Sequence, residues 1–149
     1  MADAQTLAVY DVKIDDYLRL TQAPPSKSLL AFIKSIPEGG RVLDLGCGPG
    51  FAAAEMARHG CNVEAIDGSA EMVAAASKHP GVIARQATFD ELPAQATYYG
   101  IYANFSLLHA KRNELNRHIQ ACHAARHPRG IFHLAMKLGT GEKRDALGR

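Results

Sequence analysis

Val42-Leu43-Asp44-Leu45-Gly46-Cys47-Gly48-Pro49-Gly50, followed by the apolar-periodic run from Phe51 to His59, reads as a buried strand, a glycine-rich turn and the start of a helix. The first glycine lets the chain turn sharply, and the next two let backbone approach a ligand where a Cβ would clash. A helix beginning near Gly50 points unpaired N–H groups and its positive dipole end at whatever sits there. The bland alternative is a tight strand-to-helix turn with a buried capping aspartate.

Spacing narrows the ligand. Dinucleotide folds carry G-x-G-x-x-G, with a pyrophosphate on the helix N-terminus. Here the pattern is Asp44-x-Gly46-x-Gly48-x-Gly50, with an acid two residues before the first glycine. That carboxylate repels a pyrophosphate and suits an ammonium or another hydrogen-bond donor. A ligand with a ribose, an amino acid portion and no phosphate fits better than NAD. Asp67 closes the next apolar run, 17 residues beyond Gly50, where a carboxylate takes both ribose hydroxyls. Its alternative is a turn residue ahead of Gly68-Ser69.

Working outward, short apolar runs alternate with helical ones. Leu7, Tyr10, Ile14, Tyr17 and Leu18 suggest a first helix, which Pro24-Pro25 stop. Ser26 is the expected N-cap of a helix to about Ile36. The expected strands are Arg41–Leu45, Asn62–Ile66, Val82–Ala87, Tyr99–Asn104 and Ile131–Met136. The expected helices between them are Gly50–Arg58, a segment from Ser69 to Lys78, and Lys111–Arg126 before Pro128 and Gly130, with a loop from Phe89 to Thr97. Such alternation means an α/β fold: a Rossmann-like, doubly wound parallel sheet in order 3-2-1-4-5 with helices on both faces. Ligands then sit beyond the carboxyl ends of the strands. The 149 residues form one expected domain: an N-terminal helical cap over 1–40, the core over 41–137 and a polar tail over 138–149.

Net charge is +2, too small to point to nucleic acid. No apolar run approaches membrane-spanning length and no signal segment opens the chain, so the expectation is a cytoplasmic protein without a membrane partner. Cys47, Cys61 and Cys122 are odd in number and suit a reducing compartment. The i, i+4 pairs His118/Cys122 and His123/His127 invite a metal reading, but a solvated helix face accounts for them and no metal is expected.

Tyr10-Asp11, Leu43 through Gly50, Ala65-Ile66-Asp67-Gly68-Ser69 and Met136-Lys137 together resemble the class I S-adenosylmethionine-dependent methyltransferases, in particular the small bacterial methyltransferase-domain group. The resemblance implies S-adenosylmethionine as cofactor and a small-molecule methyl acceptor. It implies that Gly46, Cys47, Gly48 and Gly50 face the methionine portion, organised by Asp44. It places the ribose on Asp67 and Gly68, with Met72 against the adenine. It puts Thr88 where relatives often carry an aspartate for the adenine amino group, with Phe89 flanking the base and Asp90 as a displaced substitute. Tyr99 replaces another aspartate common at the start of strand four. The resemblance brings Asn104 and Phe105 to the cofactor and sets His109 towards the substrate as a candidate general base, the alternative being a helix-start histidine. Tyr10 and Tyr17 would close the pocket, the alternative being aromatic anchors of a short amphipathic helix.

The family continues into strands six and seven, and this sequence stops at Arg149 before them. Strand five is then an uncovered edge, and three explanations stay open: a shortened piece of the protein, a natural fragment, or an edge covered by a second copy, which would make a homo-oligomer. Two other readings stay open: a non-catalytic binding or interaction module with this fold, and an NAD(P)-dependent oxidoreductase, against which Asp44 and the glycine spacing speak.

Overall fold

The computed structural model describes residues 24–107 and 110–136. Tyr10, Tyr17, His109, Lys137 and the polar tail lie outside the described residues. Eight main elements follow in chain order: α1 (Lys27–Lys34), β1 (Arg41–Leu45), α2 (Phe51–Arg58), β2 (Asn62–Asp67), α3 (Ala70–Ala76), β3 (Val82–Gln86), β4 (Tyr98–Asn104) and, after a turn of 3₁₀ helix at Arg112–Glu114, α4 (Leu115–Ala125). The ninth element, β5 (Arg126–Ala135), leaves α4 without a loop.

The strands form one sheet in the order β3-β2-β1-β4-β5, and every pairing is parallel. This is the expected topology. Alternate residues of β1 face opposite sides of the sheet, which divides the core in two. Val42 packs with Phe32 and Ile33 of α1, Met56 of α2 and Ala76 of α3. Leu43 and Leu45 pack on the other side with Cys122 and Ala125 of α4. Helices therefore cover both faces. Asp44 lies on the first face, in register with Ala65 of β2 and Tyr102 of β4. Tyr102 is in turn opposite His133 of β5.

Local chemistry sets the boundaries. The Ser26 hydroxyl caps α1 by accepting from the Leu29 N–H at 3.1 Å, and Ser69 caps α3 by accepting from the Met72 N–H at 3.3 Å. Where a loop was expected after β3, Phe89–Glu91 form a turn of 3₁₀ helix. Thr88 and Glu91 make a reciprocal capping box there.

β5 departs most from expectation. Pro128 and Gly130 were read as punctuation before a strand at Ile131, yet the strand runs from Arg126. Between Tyr98, which pairs with Arg126, and Gly100, which pairs with Ile131, the register shifts. The extra residues form a bulge. The Arg126 guanidinium gathers its loosened carbonyls, donating to Gly130 O at 2.7 Å and His127 O at 3.3 Å. The His127 ring stacks on Tyr99 at 4.5 Å. Among the described residues β5 has no neighbour on its outer side, and Leu134 stands exposed there. No helix of the described residues is long and apolar enough to cross a membrane.

Candidate functional site

The turn after β1 is tied to the end of β2. The N–H groups of Gly46 and Cys47 both donate to the Ile66 carbonyl, at 2.9 and 2.8 Å. The Gly48 N–H donates to Asp67 Oδ2 at 2.9 Å, and the Ser69 N–H to Asp67 Oδ1 at 2.9 Å. Asp67 thus clamps two turns together with its two oxygens. Gly46 has φ +74°, and a Cβ there would run into Ser106. Gly50 has φ +88°, and its Cβ would stand 2.8 Å from Ala76 and 3.1 Å from the His79 ring. At both positions the protein's own atoms exclude a Cβ, and Gly46 makes the sharp turn expected of the first glycine.

Asp44 is only 3% exposed. The Ala53 N–H, in the first turn of α2, faces its carboxylate and favours the charged form. Its second oxygen, Oδ2, has no hydrogen-bond partner among the described residues. Burial, and then the nearby Asp67 charge, push its pKa up to about 7. An unpartnered buried carboxyl oxygen is costly, and such groups in folded proteins mark ligands, ions or function. Cys47 is buried beside it, with its thiol donating to the Gly48 carbonyl at 3.3 Å. Burial, with the Asp44 and Asp67 charges, raises that thiol far above its ordinary value, so Cys47 is a packing group and not a nucleophile.

A cavity of about 460 Å³ opens onto Asp44, within the size range of small-molecule sites. Asp44, Tyr102 and Asn104 line it from the sheet, Ser26 and Leu29 from α1, and Phe51, Glu55 and Arg58 from α2. Gly46 and Cys47 also border it. His79 reaches it from beyond α3, with Nε2 3.0 Å from the Pro49 carbonyl and its ring edge against Phe51. Glu55 and Arg58 form an ion pair at the wall. Burial and then the Asp44 charge raise the Tyr102 phenol, while the Ser26 and Ser28 hydroxyls beside its oxygen act the other way.

Of the residues read from sequence as cofactor contacts, Asp44, Gly46, Cys47 and Asn104 border this cavity. The others lie towards the β2–β3 side of the sheet or in the turn after β4. The Gly68 carbonyl accepts from Gln86 at 3.0 Å. Met72 and Phe89 are buried, 1% and 7% exposed, with Phe89 against the His118 ring at 5.4 Å. The Thr88 hydroxyl and N–H are engaged in the capping box, and Asp90 pairs with Arg117. Phe105 has φ +59°, an uncommon conformation for a side chain of its size. Its N–H donates to the Ala135 carbonyl at 2.9 Å. Ser26, Phe51, Glu55, Arg58, His79 and Tyr102 were not foreseen at the site. Only Tyr102 carried a signal, as a polar aromatic on the same face as Asp44 in an adjoining apolar strand.

The solvated-face account of α4 is corrected for two of its residues. His118 and Cys122 are buried, 1% and 0% exposed, and Cys122 belongs to the core beneath the sheet. Among the described residues no group of three or more His, Cys, Asp and Glu side chains gathers as a metal site would.

No curated protein sequence matches the chain. Solved structures do. A TehB-like SAM-dependent methyltransferase from Corynebacterium glutamicum is 17% identical, with a TM-score of 0.70 over 83% of this chain and 72% of that one. An S-adenosylmethionine-dependent methyltransferase from Mesorhizobium loti is 29% identical, with a TM-score of 0.57 over 69% of this chain and 51% of that one. The 1,6-didemethyltoxoflavin-N1-methyltransferase of Burkholderia thailandensis was solved with its substrate and S-adenosylhomocysteine. It is 22% identical, with a TM-score of 0.72 over 87% of this chain and 60% of that one. This chain therefore spans between about half and three quarters of these proteins' lengths. A family model described as "Methyltransferase domain" matches residues 42–130, more than half of the sequence and the same stretch that carries the glycine turn, Asp44 and Asp67. On that match, with the 3-2-1-4-5 sheet, the chain belongs to the methyltransferase domain family.

Proposed function

We propose that this protein binds S-adenosylmethionine and catalyses transfer of its methyl group to a small-molecule acceptor, leaving S-adenosylhomocysteine. The observation that carries this reading is the unpartnered Asp44 Oδ2, buried in the wall of a cavity beside the glycine turn. A cationic amino group supplies what that oxygen lacks, two or three N–H donors and a positive charge. A pyrophosphate supplies neither. When bound, the cofactor provides an electrophilic methyl group on a sulfonium. The chain's own residues bind and orient. Asp44 takes the ammonium in its charged form, which the ligand's cation favours over the protonated one. Asp67, at the ribose position, has about four acceptor sites on its two oxygens, so hydroxyls add to the backbone donors it already holds. Reaction rate then comes from holding the acceptor in line with the methyl group, since orientation alone is worth several kcal/mol.

The fit extends to size, because a cavity of about 460 Å³ beside Asp44 lies in the range that takes a small-molecule ligand. A cytoplasmic setting suits three unpaired thiols. Titration calorimetry with S-adenosylhomocysteine, run beside NAD and NADP, tests the cofactor. Micromolar binding of the first alone, about −8 kcal/mol, is the expected result, and binding of NAD in its place overturns the reading. Methyl transfer from labelled cofactor across a panel of small molecules then separates an enzyme from a module that only binds.

A further inference from the structure

His133 stands outside every motif described so far, yet its ring is held on three sides. It lies in register with Tyr102 and stacks on that ring at 4.5 Å, with planes 17° apart. Phe32 of α1 meets it edge-on at 6.4 Å. Its Nε2 then lies 3.3 Å from Asn104 Oδ1. A carboxamide oxygen only accepts, so the ring nitrogen facing it carries the hydrogen. Burial lowers the basicity of the ring, which keeps it neutral at neutral pH and leaves that N–H as its single donor. With Oδ1 taken, the Asn104 amide nitrogen is turned the other way. Asn104 borders the cavity, and among the described residues its side chain makes no other hydrogen bond.

Register fixes the distance to Asp44. Asp44 pairs with Tyr102 across β1 and β4, and Asn104 follows two residues later on the same face. One inter-strand step and two residues of rise separate their backbones by roughly 8 Å. That gap accommodates one α-amino acid head group, with a hydrogen bond of about 2.9 Å at each end. The two ends differ in sign: a buried oxygen that lacks donors at Asp44, and exposed amide N–H groups, open to an acceptor, at Asn104.

We propose that His133 is a positioning residue which, by donating to Asn104 Oδ1, aims the Asn104 amide at the carboxylate of the ligand whose ammonium group Asp44 receives. This rests on the S-adenosylmethionine reading. It makes the site selective for a nucleoside that carries a complete amino acid over one that does not.

Two ligands and three variants test it. Binding of S-adenosylhomocysteine and of 5′-methylthioadenosine, which keeps the nucleoside and thioether but lacks the amino acid head, is measured for the wild type, His133→Phe, His133→Gln and Asn104→Ala. His133→Phe keeps a ring on Tyr102 and removes the donor. It is expected to weaken S-adenosylhomocysteine about tenfold and to leave 5′-methylthioadenosine within about twofold. Asn104→Ala should reproduce that pattern, and His133→Gln, which restores a donor, should recover most of the loss. Equal weakening of both ligands would show that His133 merely supports the fold, and unchanged affinities would show that Asn104 is oriented without it; either overturns the proposal while the cofactor assignment stands. A wild type that binds neither ligand overturns both.

Discussion

The neighbouring strands β1 and β2 each carry an aspartate at or next to their last residue, Asp44 and Asp67, and the two carboxylates are in opposite states. Asp67 has both oxygens supplied with backbone donors from Gly48 and Ser69. Asp44 is buried at the wall of the cavity, has the Ala53 N–H beside its carboxylate and lacks a partner on Oδ2 among the described residues. A satisfied carboxylate is part of the scaffold that shapes the turn. An unsatisfied one is an investment that only a ligand returns. Residue type does not separate the two roles; the count of filled lone pairs does.

Substitution should therefore move the two sites in opposite directions. Asp67→Ala strands the Gly48 and Ser69 N–H groups, and loss of two charge-assisted hydrogen bonds predicts destabilisation by about 3 kcal/mol, together with weaker S-adenosylhomocysteine binding. Asp44→Asn keeps the shape and removes the buried charge. The rise in its pKa from 3.8 to about 7 corresponds to about 4 kcal/mol held against the folded state above pH 7. Asp44→Asn is accordingly expected to raise the unliganded stability at pH 8 by a few kcal/mol, while weakening S-adenosylhomocysteine a hundredfold or more. Denaturant unfolding and calorimetry on both variants check this. If both variants lose stability alike, the contrast between the turns is broken.

Acidity sharpens the same comparison. Because the folded protein holds the Asp44 proton more tightly than the unfolded chain does, its contribution favours folding at low pH. That contribution is present below about pH 4 and is lost as pH rises from about 4 to about 7. Other carboxylates, such as Glu55 beside Arg58 with its lowered pKa, slope the opposite way at lower pH. Subtracting the stability profile of Asp44→Asn from that of the wild type should isolate a component falling across pH 4–7. A flat difference would mean that Asp44 is not desolvated in solution. The smallest effect is expected at His79, whose ring bonds the Pro49 carbonyl at 3.0 Å. His79→Ala should loosen the glycine turn by about 1 kcal/mol and weaken S-adenosylhomocysteine several-fold, with little change in the melting of the sheet.

Much of this was legible in the chain because it is written locally. Ser26 and Ser69 cap the helices they announce, and alternation of strands and helices gives the sheet order that the pairings show. The glycine turn carries its backbone requirement in its own residues. What was not legible depends on partners distant in sequence. Pro128 and Gly130 look like terminators until the Arg126 guanidinium is seen collecting the carbonyls of the bulge. His118 and Cys122 look solvated until α4 is laid on the sheet, where they turn inward. The cavity draws Ser26, Arg58, His79 and Tyr102 from four separate elements or turns, and no spacing rule joins them. Thr88 and Asp90 are bound into the capping box and the Arg117 pair, a use that a family pattern does not convey.

Ser106 seated against Gly46 has a bearing on how such chains drift. A descendant that gave up its ligand would still need glycine at 46, because an alanine there collides with a neighbour whether or not anything is bound. It would have every reason to shed Asp44, whose burial penalises the empty fold. In such a copy Gly46 would persist as a fossil of the architecture, and the aspartate two residues ahead of it would be the better witness to a living site.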